Sequence, residues 1–263
     1  MIDPVFLHIG GLQIRYYGLI YTVMFIIGTI MIMKISEYKR NKLKEKEYEK
    51  FDKDTIIDYM IFLIIGSILT ARIFHIVFYN LGYYLANPFE ILAFWHGGMS
   101  FHGGLVGGIL ATMLFCRLRK IDFYTVADVV MIPVAIGLAI GRIGNFINQE
   151  LYGKITTVPW AVKFDGVEGL RHPTQLYESA KNFVIFGTLL FMNSKKQKKG
   201  TIFWTFVAMY GYLRFGIEFF KDFPVVFMGM TMGQLLCLPM MIAGTVMLIG
   251  INRNPEKRLK SRK

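Results

Sequence analysis

Seven apolar stretches of about 20 residues divide the chain, and charged, proline-containing or glycine-containing segments separate them. None of the seven shows the alternation of apolar and polar positions that is typical of barrel strands. A helix needs about 20 residues to cross the hydrocarbon core of a bilayer. The pattern therefore predicts an all-α polytopic membrane protein with seven transmembrane helices. These lie at about 16–36, 56–80, 99–116, 124–146, 174–193, 201–221 and 232–251.

The composition favours a membrane protein over a soluble one. Of the 263 residues, 54% are hydrophobic and 18% are charged. Soluble domains average roughly 45–50% apolar and about 25% charged residues. Helix is the expected state of the spans because an open sheet would leave unpaired backbone groups in lipid.

The net charge of +12 is concentrated in alternate connections between the apolar stretches. Lysine and arginine number eight in 34–54, three in 117–120, four in 195–199 and six in 253–263. The positive-inside rule assigns these four segments to the cytoplasm, which predicts an extracytoplasmic N-terminus and a cytoplasmic C-terminus. Basic residues spread over short loops do not form the basic surface that binds nucleic acid, so no nucleic-acid partner is expected.

We expect a single integral-membrane domain over residues 1–263. The connection at 147–173, between the fourth and fifth spans, predicts a small extracytoplasmic head, in which KITTVPWAVKF at 154–164 is a candidate short β-hairpin or cap. Residues 252–263 form a basic cytoplasmic tail in this prediction.

Charged and strongly polar residues remain inside or at the ends of the spans, where they are costly and commonly functional. They are Arg72, His102, Asp128, Arg142, Asn145, Glu150, Glu178, Arg214 and Glu218. At 1.5 Å per residue, Arg214 and Arg142 lie about 21 and about 27 Å from the cytoplasmic ends of their spans. Tyr17 lies in the same outer half. The concentration predicts a polar cavity open to the extracytoplasmic side, whereas Asp128, nearer the cytoplasm, favours a structural role.

Two pairs in this set share a helical face. Arg214 and Glu218 are spaced i,i+4, and Arg142 and Asn145 are spaced i,i+3. The first pair can join helices as an internal ion pair, and the second can satisfy backbone groups at a helix end. Both can instead bind a ligand. Two arginines in an outer cavity favour a phosphate or carboxylate, and a phospholipid head group is the anion present at that depth.

Glycines surround His102 in the segment HGGMSFHGG at 96–104. They are Gly97, Gly98, Gly103 and Gly104. A glycine-rich backbone can approach a phosphate through its N–H groups, and small residues spaced by four also let membrane helices pack closely. His102 is the most natural general base in the chain because imidazole titrates near neutral pH.

No metal ion or cofactor is expected from the sequence. Cys116 and Cys237 lie in different apolar stretches and lack a metal-binding or redox spacing, which favours small buried side chains. The chain also has no Walker loop and no serine nucleophile elbow.

Six segments resemble one enzyme family, the prolipoprotein diacylglyceryl transferases. They are RYYGLIY at 15–21, HGGMSFHGG at 96–104, GRIGNFINQELYG at 141–153, RHPTQLYES at 171–179, YLRFGIEFFK at 212–221 and MGQ at 232–234. The resemblance implies a multi-pass enzyme of the bacterial plasma (inner) membrane whose active site faces the extracytoplasmic side. It would transfer the diacylglyceryl group of phosphatidylglycerol to the lipobox cysteine of preprolipoprotein signal peptides. The expected products are a thioether and glycerol phosphate, and the expected partners are these substrates and membrane lipids.

The resemblance also implies roles for individual residues. The family's catalytic positions fall on Tyr17, His102, Arg142 and Arg214, and its substrate-binding positions on Asn145, Glu150, Gly153 and Glu218, with Arg72 and the four glycines of the 96–104 segment added by position. The arginines would hold the leaving phosphate, and His102 or Tyr17 would handle the thiol proton. Two residues depart from the family pattern: His96 replaces an acidic residue and Gln149 replaces a glycine.

Two other classes of protein remain alternatives on the residues alone. A transporter or lipid flippase would also carry internal arginine and glutamate, but its path needs polar residues through the full depth of the membrane. A seven-helix receptor or scaffold would not require the histidine, arginine and asparagine side chains that concentrate in the outer half.

Overall fold

The computed structural model describes residues 5–9 and 12–253, with side chains from 22 onward except that of His96. Eight α-helices occur in this part of the chain. They are α1 (Tyr16–Asn41), α2 (Lys53–Tyr79), α3 (Leu81–Ala86), α4 (Phe101–Arg119), α5 (Phe123–Ile147), α6 (Thr174–Asn193), α7 (Thr201–Glu218) and α8 (Met232–Arg253). Three short antiparallel strand pairs accompany them. They are β1 (Val5–Ile9) with β2 (Leu12–Arg15), β3 (Val162–Lys163) with β4 (Leu170–Arg171), and β5 (Val225–Phe227) with β6 (Met230–Thr231).

One long helix overlaps each of the seven predicted apolar stretches, so the helical assignments are confirmed. Four of the described helices, α2, α4, α5 and α8, are long and apolar enough to cross a membrane. Helix α6 has a more polar character, because it buries Gln175, Glu178, Ser179, Lys181 and Asn182. The tail predicted at 252–263 falls almost entirely outside the described residues, since α8 ends at Arg253.

The chain divides into two compact units, which we describe separately. The first contains the residues up to Ile32 and those from Ala127 onward. Within it, α7 and α8 pack along each other so closely that a Cβ at Gly244 would lie 2.8 Å from the Ala208 backbone. Small residues therefore bring these two helices together, as they commonly do in membrane proteins.

Asp128 joins two helices of the first unit. Its carboxylate accepts hydrogen bonds from the backbone N–H of Gly200 and of Phe203, each at 2.8 Å. These N–H groups lie at the start of α7 and have no partner within that helix. The contacts agree with the structural role that the sequence favoured for Asp128.

The second unit contains residues 33–126, with α2 packed along α4. Two side chains fix where these helices begin. Asp52 accepts from the backbone N–H of Thr55 at 3.0 Å, and Ser100 accepts from that of Gly103 at 3.3 Å, which are N-cap contacts. The Thr55 N–H also holds the pKa of the Asp52 carboxyl below its usual value, because it favours the charged form.

The connection after α5 forms strand pairs, but at a different place from the predicted hairpin. Residues 162–163 pair with 170–171, and Ile155 forms a bridge with Arg171, so the two ends of the 154–164 segment pair with 170–171 and not with each other. Its first residues instead reach the end of α7, where Lys154 donates its backbone N–H to the carbonyl of Phe220 at 2.9 Å. The connection therefore ties the end of α5 to the end of α7.

A tight hairpin precedes α8. Met228 and Gly229, between β5 and β6, have φ angles of 46° and 77°, and positive values at both central residues are typical of two-residue hairpin turns. The turn brings β6 back beside β5, where Thr231 pairs with Val225. The Thr231 hydroxyl donates to Glu218, the last residue of α7, at 3.1 Å.

Candidate functional site

Glu178, in the second turn of α6, is a buried carboxylate surrounded by cations, and only 1% of its surface is exposed. Its Oε2 accepts a hydrogen bond from Lys181 Nζ at 2.7 Å. Its Oε1 contacts Lys221 Nζ at 2.7 Å and accepts a hydrogen bond from Arg214 Nη1. Three positive side chains from α6, α7 and the residues after α7 therefore converge on one carboxylate.

Glu218, one helical turn after Arg214, supplies a second carboxylate and is as deeply buried as Glu178. Its Oε2 lies 3.4 Å from Arg214 Nη2 and 3.7 Å from Lys221 Nζ. We call Glu178, Lys181, Arg214, Glu218 and Lys221 the charge cluster. The predicted i,i+4 pair of Arg214 with Glu218 is present, but it belongs to a larger group. Three cations share two carboxylates in the cluster, which leaves one positive charge in excess.

The start of α8 fits tightly against Glu218. A Cβ at Gly233 would overlap the Glu218 carboxylate, so only glycine lets the helix approach this closely. The Gln234 side chain accepts from the backbone N–H of Thr231 at 3.0 Å, and the Thr231 hydroxyl donates to Glu218. The MGQ segment at 232–234 thus holds one end of the charge cluster in place.

An open pocket of about 300 Å³ lies beside the charge cluster. Its lining residues are Arg214, Glu218, Phe223, Pro224, Val226, Met232, Gly233 and Leu236. The Arg214 side chain is 19% exposed, compared with 2% for Lys181 and 4% for Lys221. Arg214 is therefore the cation of the cluster that a ligand in this pocket can reach, and the other walls are mostly apolar. We call this space the Arg214 pocket.

Arg142, Asn145 and Glu150 form a second polar group at the end of α5, which we call the Arg142 group. Arg142 donates from Nη1 to the Asn145 side-chain oxygen at 3.4 Å, and Asn145 donates to Glu150 Oε1 at 2.6 Å. The backbone N–H of Glu150 also returns to the Asn145 carbonyl at 3.0 Å. The predicted shared face of Arg142 and Asn145 is confirmed. The Asn145 side-chain amide thus lies between the Arg142 guanidinium and the Glu150 carboxylate and orients both.

Gln149 and Leu151, on either side of Glu150, have positive φ angles of 57° and 59°, a region that favours glycine. Gln149 is one of the two departures from the family pattern. Its side chain donates to Asp165 at 2.9 Å and accepts from the Asp165 backbone N–H at 2.6 Å. These two hydrogen bonds hold the unusual backbone in place where the resemblance leads us to expect glycine.

Arg72, in the second unit, is buried and makes contacts that the sequence did not predict. Its five N–H donors match five backbone carbonyls, which are those of Glu90, Ile91, Ala93, Gly97 and Gly98. The guanidinium also lies 5.0 Å from the centre of the Tyr84 ring. Arg72 therefore fixes the segment before α4. Acting as a third phosphate cation would require it to give up some of these bonds.

His102 lies in the first turn of α4 and is exposed. The glycines before it, Gly97 and Gly98, have positive φ angles of 79° and 75°, and their carbonyls accept from Arg72. Gly103, next to His102, packs against α2, whereas Gly104 makes looser contacts. The backbone shape of the 96–104 segment thus depends on its glycines, and their predicted contact with phosphate stays a prediction.

Changing Gly103 to alanine is expected to destabilise the protein by about 1–3 kcal/mol, because the new methyl group overpacks a helix contact. Its Cβ would lie 2.7 Å from the Thr70 carbonyl oxygen and 2.9 Å from the Ala71 Cα, and backbone atoms cannot turn aside. Gly104→Ala is the matched control, since its nearest neighbour would be the Ala71 Cβ at 3.7 Å. Thermal unfolding in detergent measures both variants. Equal melting temperatures would contradict this packing.

Two positions singled out in the sequence have side chains outside the part of the chain that the structure describes. Tyr17 lies in the first turn of α1, and its side chain is outside the part of the chain that the structure describes. The same holds for the side chain of His96, the second departure from the family pattern. The role of Tyr17 therefore stays a prediction.

Sequence reasoning missed Lys181 and Lys221 as members of the site. Lys181 is a charged residue inside an apolar stretch, three residues after Glu178, and that placement is a usable signal. Lys221 is the last residue of the apolar stretch at 201–221, and its burial in the charge cluster depends on the tertiary structure.

Comparison with known proteins identifies relatives along nearly the whole chain. A model of the family described as prolipoprotein diacylglyceryl transferase matches residues 4–250. The phosphatidylglycerol–prolipoprotein diacylglyceryl transferase of Geobacter sulfurreducens is 42% identical over 259 residues, which cover 96% of each chain. The enzyme of the same name from Bordetella parapertussis is 39% identical over 264 residues, covering 97% of this chain and 98% of that protein. That from Rhodospirillum rubrum is 41% identical over 262 residues, covering 96% and 93%.

Proposed function

The chain belongs to the prolipoprotein diacylglyceryl transferase family, and from this membership we propose how its residues act in the reaction. It is a transferase of lipoprotein maturation, which moves a diacylglyceryl group from phosphatidylglycerol to a prolipoprotein. The acceptor in our proposal is the lipobox cysteine of the preprolipoprotein signal peptide. The thiolate sulfur forms a bond to the terminal glyceryl carbon, the bond from that carbon to the phosphate oxygen breaks, and glycerol phosphate leaves.

The apolar helices make the protein a multi-pass membrane protein. We propose that all seven long helices cross the bacterial plasma (inner) membrane, with the N-terminus outside and the C-terminus in the cytoplasm. The uneven distribution of lysine and arginine among the connections supports this orientation. Our proposal places the active site and the 147–173 head on the extracytoplasmic side.

The excess positive charge beside the Arg214 pocket is the observation that carries the proposed phosphate site. A buried positive charge without a counter-charge is costly, so an anion in the pocket would complete the charge cluster. Arg214 would hold the phosphate of phosphatidylglycerol by a charge-assisted hydrogen bond, while an acyl chain lies against the apolar walls. We assign Arg142 to the same phosphate, with Asn145 and Glu150 orienting it. As the carbon–oxygen bond breaks, charge grows on the phosphate and these guanidinium groups stabilise it.

The thiol must lose its proton before it attacks, because its free pKa of about 8.5 leaves it mostly protonated at neutral pH. We assign this proton to His102, whose exposed imidazole can accept it directly or through water. Tyr17 would donate a hydrogen bond to a phosphate or ester oxygen. The nucleophile comes from the substrate, so Cys116 and Cys237, both buried, are not required.

A transfer assay tests the proposal directly. The purified protein in nanodiscs that contain phosphatidylglycerol receives either a lipobox peptide or the same peptide with serine in place of cysteine. We expect the cysteine peptide to gain the mass of a diacylglyceryl group while an equal amount of glycerol phosphate appears. The serine peptide is expected to yield neither product. Glycerol phosphate without modified peptide would indicate a hydrolase, and lipid movement without consumption would indicate a transporter.

A further inference from the structure

Lys181 is a buried cation that the reaction proposed above does not use. Its Nζ contacts Glu178 at 2.7 Å and lies 3.7 Å from the centre of the Tyr210 ring. With 2% of its side chain exposed, it cannot reach a ligand in the Arg214 pocket. It also lies beyond the RHPTQLYES segment that carries the family resemblance. Any effect of Lys181 on the reaction must therefore pass through the residues that it contacts.

The charge balance of the cluster depends on Lys181. With all five groups ionised, Lys181, Arg214 and Lys221 carry three positive charges against the two negative charges of Glu178 and Glu218. Without Lys181, two cations would face two carboxylates and the cluster would be neutral. The Arg142 group does not change this balance, because Arg142 and Glu150 bring one charge of each sign.

The excess charge reaches the Arg214 pocket only through Arg214. Glu178 contacts all three cations, so Lys181 and Lys221 each neutralise part of its negative charge. Less of the Arg214 charge is then cancelled by Glu178, and more remains for a ligand. Coulomb interactions between groups a few ångströms apart are strong in a site with little water, so a lysine behind Glu178 can change anion binding at Arg214.

We propose that Lys181 is a positioning residue that sets the charge cluster to one net positive charge and thereby matches the Arg214 pocket to a phospholipid with one negative charge. A phosphodiester between two alcohols carries one negative charge, so binding such a head group brings the cluster to neutrality. A neutral or zwitterionic lipid would leave the excess charge unbalanced. This inference rests on the proposed function, because it concerns the phosphate site of the same reaction.

The experiment compares four proteins: wild type, Lys181→Met, Lys181→Arg and the double variant Lys181→Met/Glu178→Gln. Methionine keeps a long unbranched side chain without charge, and the double variant restores one excess positive charge. Each protein is placed in nanodiscs of phosphatidylglycerol diluted into phosphatidylcholine, and kcat and KM for phosphatidylglycerol are measured below the onset of unfolding. Lys195→Met, an exposed lysine outside the cluster, is the control.

We expect Lys181→Met to raise KM for phosphatidylglycerol on the order of tenfold, because the attraction at Arg214 is lost. Lys181→Arg and Lys195→Met should stay near the wild-type KM. The double variant should have a lower KM than Lys181→Met, because its excess positive charge is restored. A purely structural lysine would lower the melting temperature and leave the KM of the folded protein unchanged, and that result would overturn the inference. A double variant that keeps the raised KM would also overturn it.

The remaining outcomes separate this inference from the proposed function. If Lys181→Met does not fold, Lys181→Gln takes its place, because it lacks the same charge and predicts the same raised KM. A wild-type protein that yields neither product would refute the proposed function itself. An active wild type whose KM is insensitive to Lys181→Met would refute only the charge-matching role.

Discussion

Replacing Arg214 by glutamine is expected to lower kcat/KM for phosphatidylglycerol by about 10²–10³-fold, the usual effect of removing one group that stabilises transition-state charge. Arg214 is the cation of the charge cluster that lines the Arg214 pocket, and the carboxylates of Glu178 and Glu218 both contact it. Glutamine keeps a hydrogen-bond donor on a shorter side chain and loses the positive charge. The loss of rate should therefore be much larger than the loss of stability, as transfer assays and thermal unfolding of the same sample would show.

Arg119→Gln is the control for this change. Arg119 forms an ion pair with Asp58 that is about half exposed, and exposed pairs contribute little to stability, so its activity should stay near that of wild type. Arg214→Lys separates charge from geometry, because lysine keeps the positive charge without the planar fork that binds phosphate through two bonds. An Arg214→Gln protein that retained most of its kcat/KM would remove Arg214 from the phosphate site.

The sequence predicted the helices well because their signal is local. An apolar stretch that crosses lipid must satisfy its backbone groups internally, and a helix does so regardless of which neighbour it packs against. The ion pair of Arg214 with Glu218 was predicted for the same reason, since spacing along one helix determines it. The helix boundaries at Asp52 and Ser100 also follow from nearby residues, whose side chains accept the first N–H groups.

The contacts of the site depended on the tertiary structure, and several could not be predicted. In the sequence, Lys221 resembles a lysine of a connection between helices. In the structure only 3% of its surface is exposed, because it contacts Glu178 on α6. Arg72 was expected as a ligand for phosphate, but carbonyls of a segment about 20 residues later take up its donors. The strand pairing expected within 154–164 was misplaced, because the backbone of Lys154 bonds to Phe220 and that of Thr156 bonds to Leu170.

Changing Gly153 to alanine is expected to lower kcat/KM by about 10²-fold, because it displaces groups on both sides of the site and small misplacements of reacting groups are costly. A Cβ at this position would overlap the carbonyl oxygen of Phe220 and lie 2.9 Å from the His172 Cβ. Gly153 also forms a β-bridge with Lys221, so the backbone that must move carries a member of the charge cluster.

Gly153 also lies three residues after Glu150, close to the end of α5. Movement of its backbone is therefore expected to shift the Arg142 group as well. Overpacking should additionally destabilise the protein by about 1–3 kcal/mol. Gly187→Ala is the matched control, since no atom lies within 4 Å of its new Cβ and alanine favours the α6 helix. Activity measured well below the melting temperature separates the two effects. If Gly153→Ala transferred lipid at the wild-type rate, the end of α5 and the charge cluster would not need the close contact that glycine allows, and the coupling between them would be refuted.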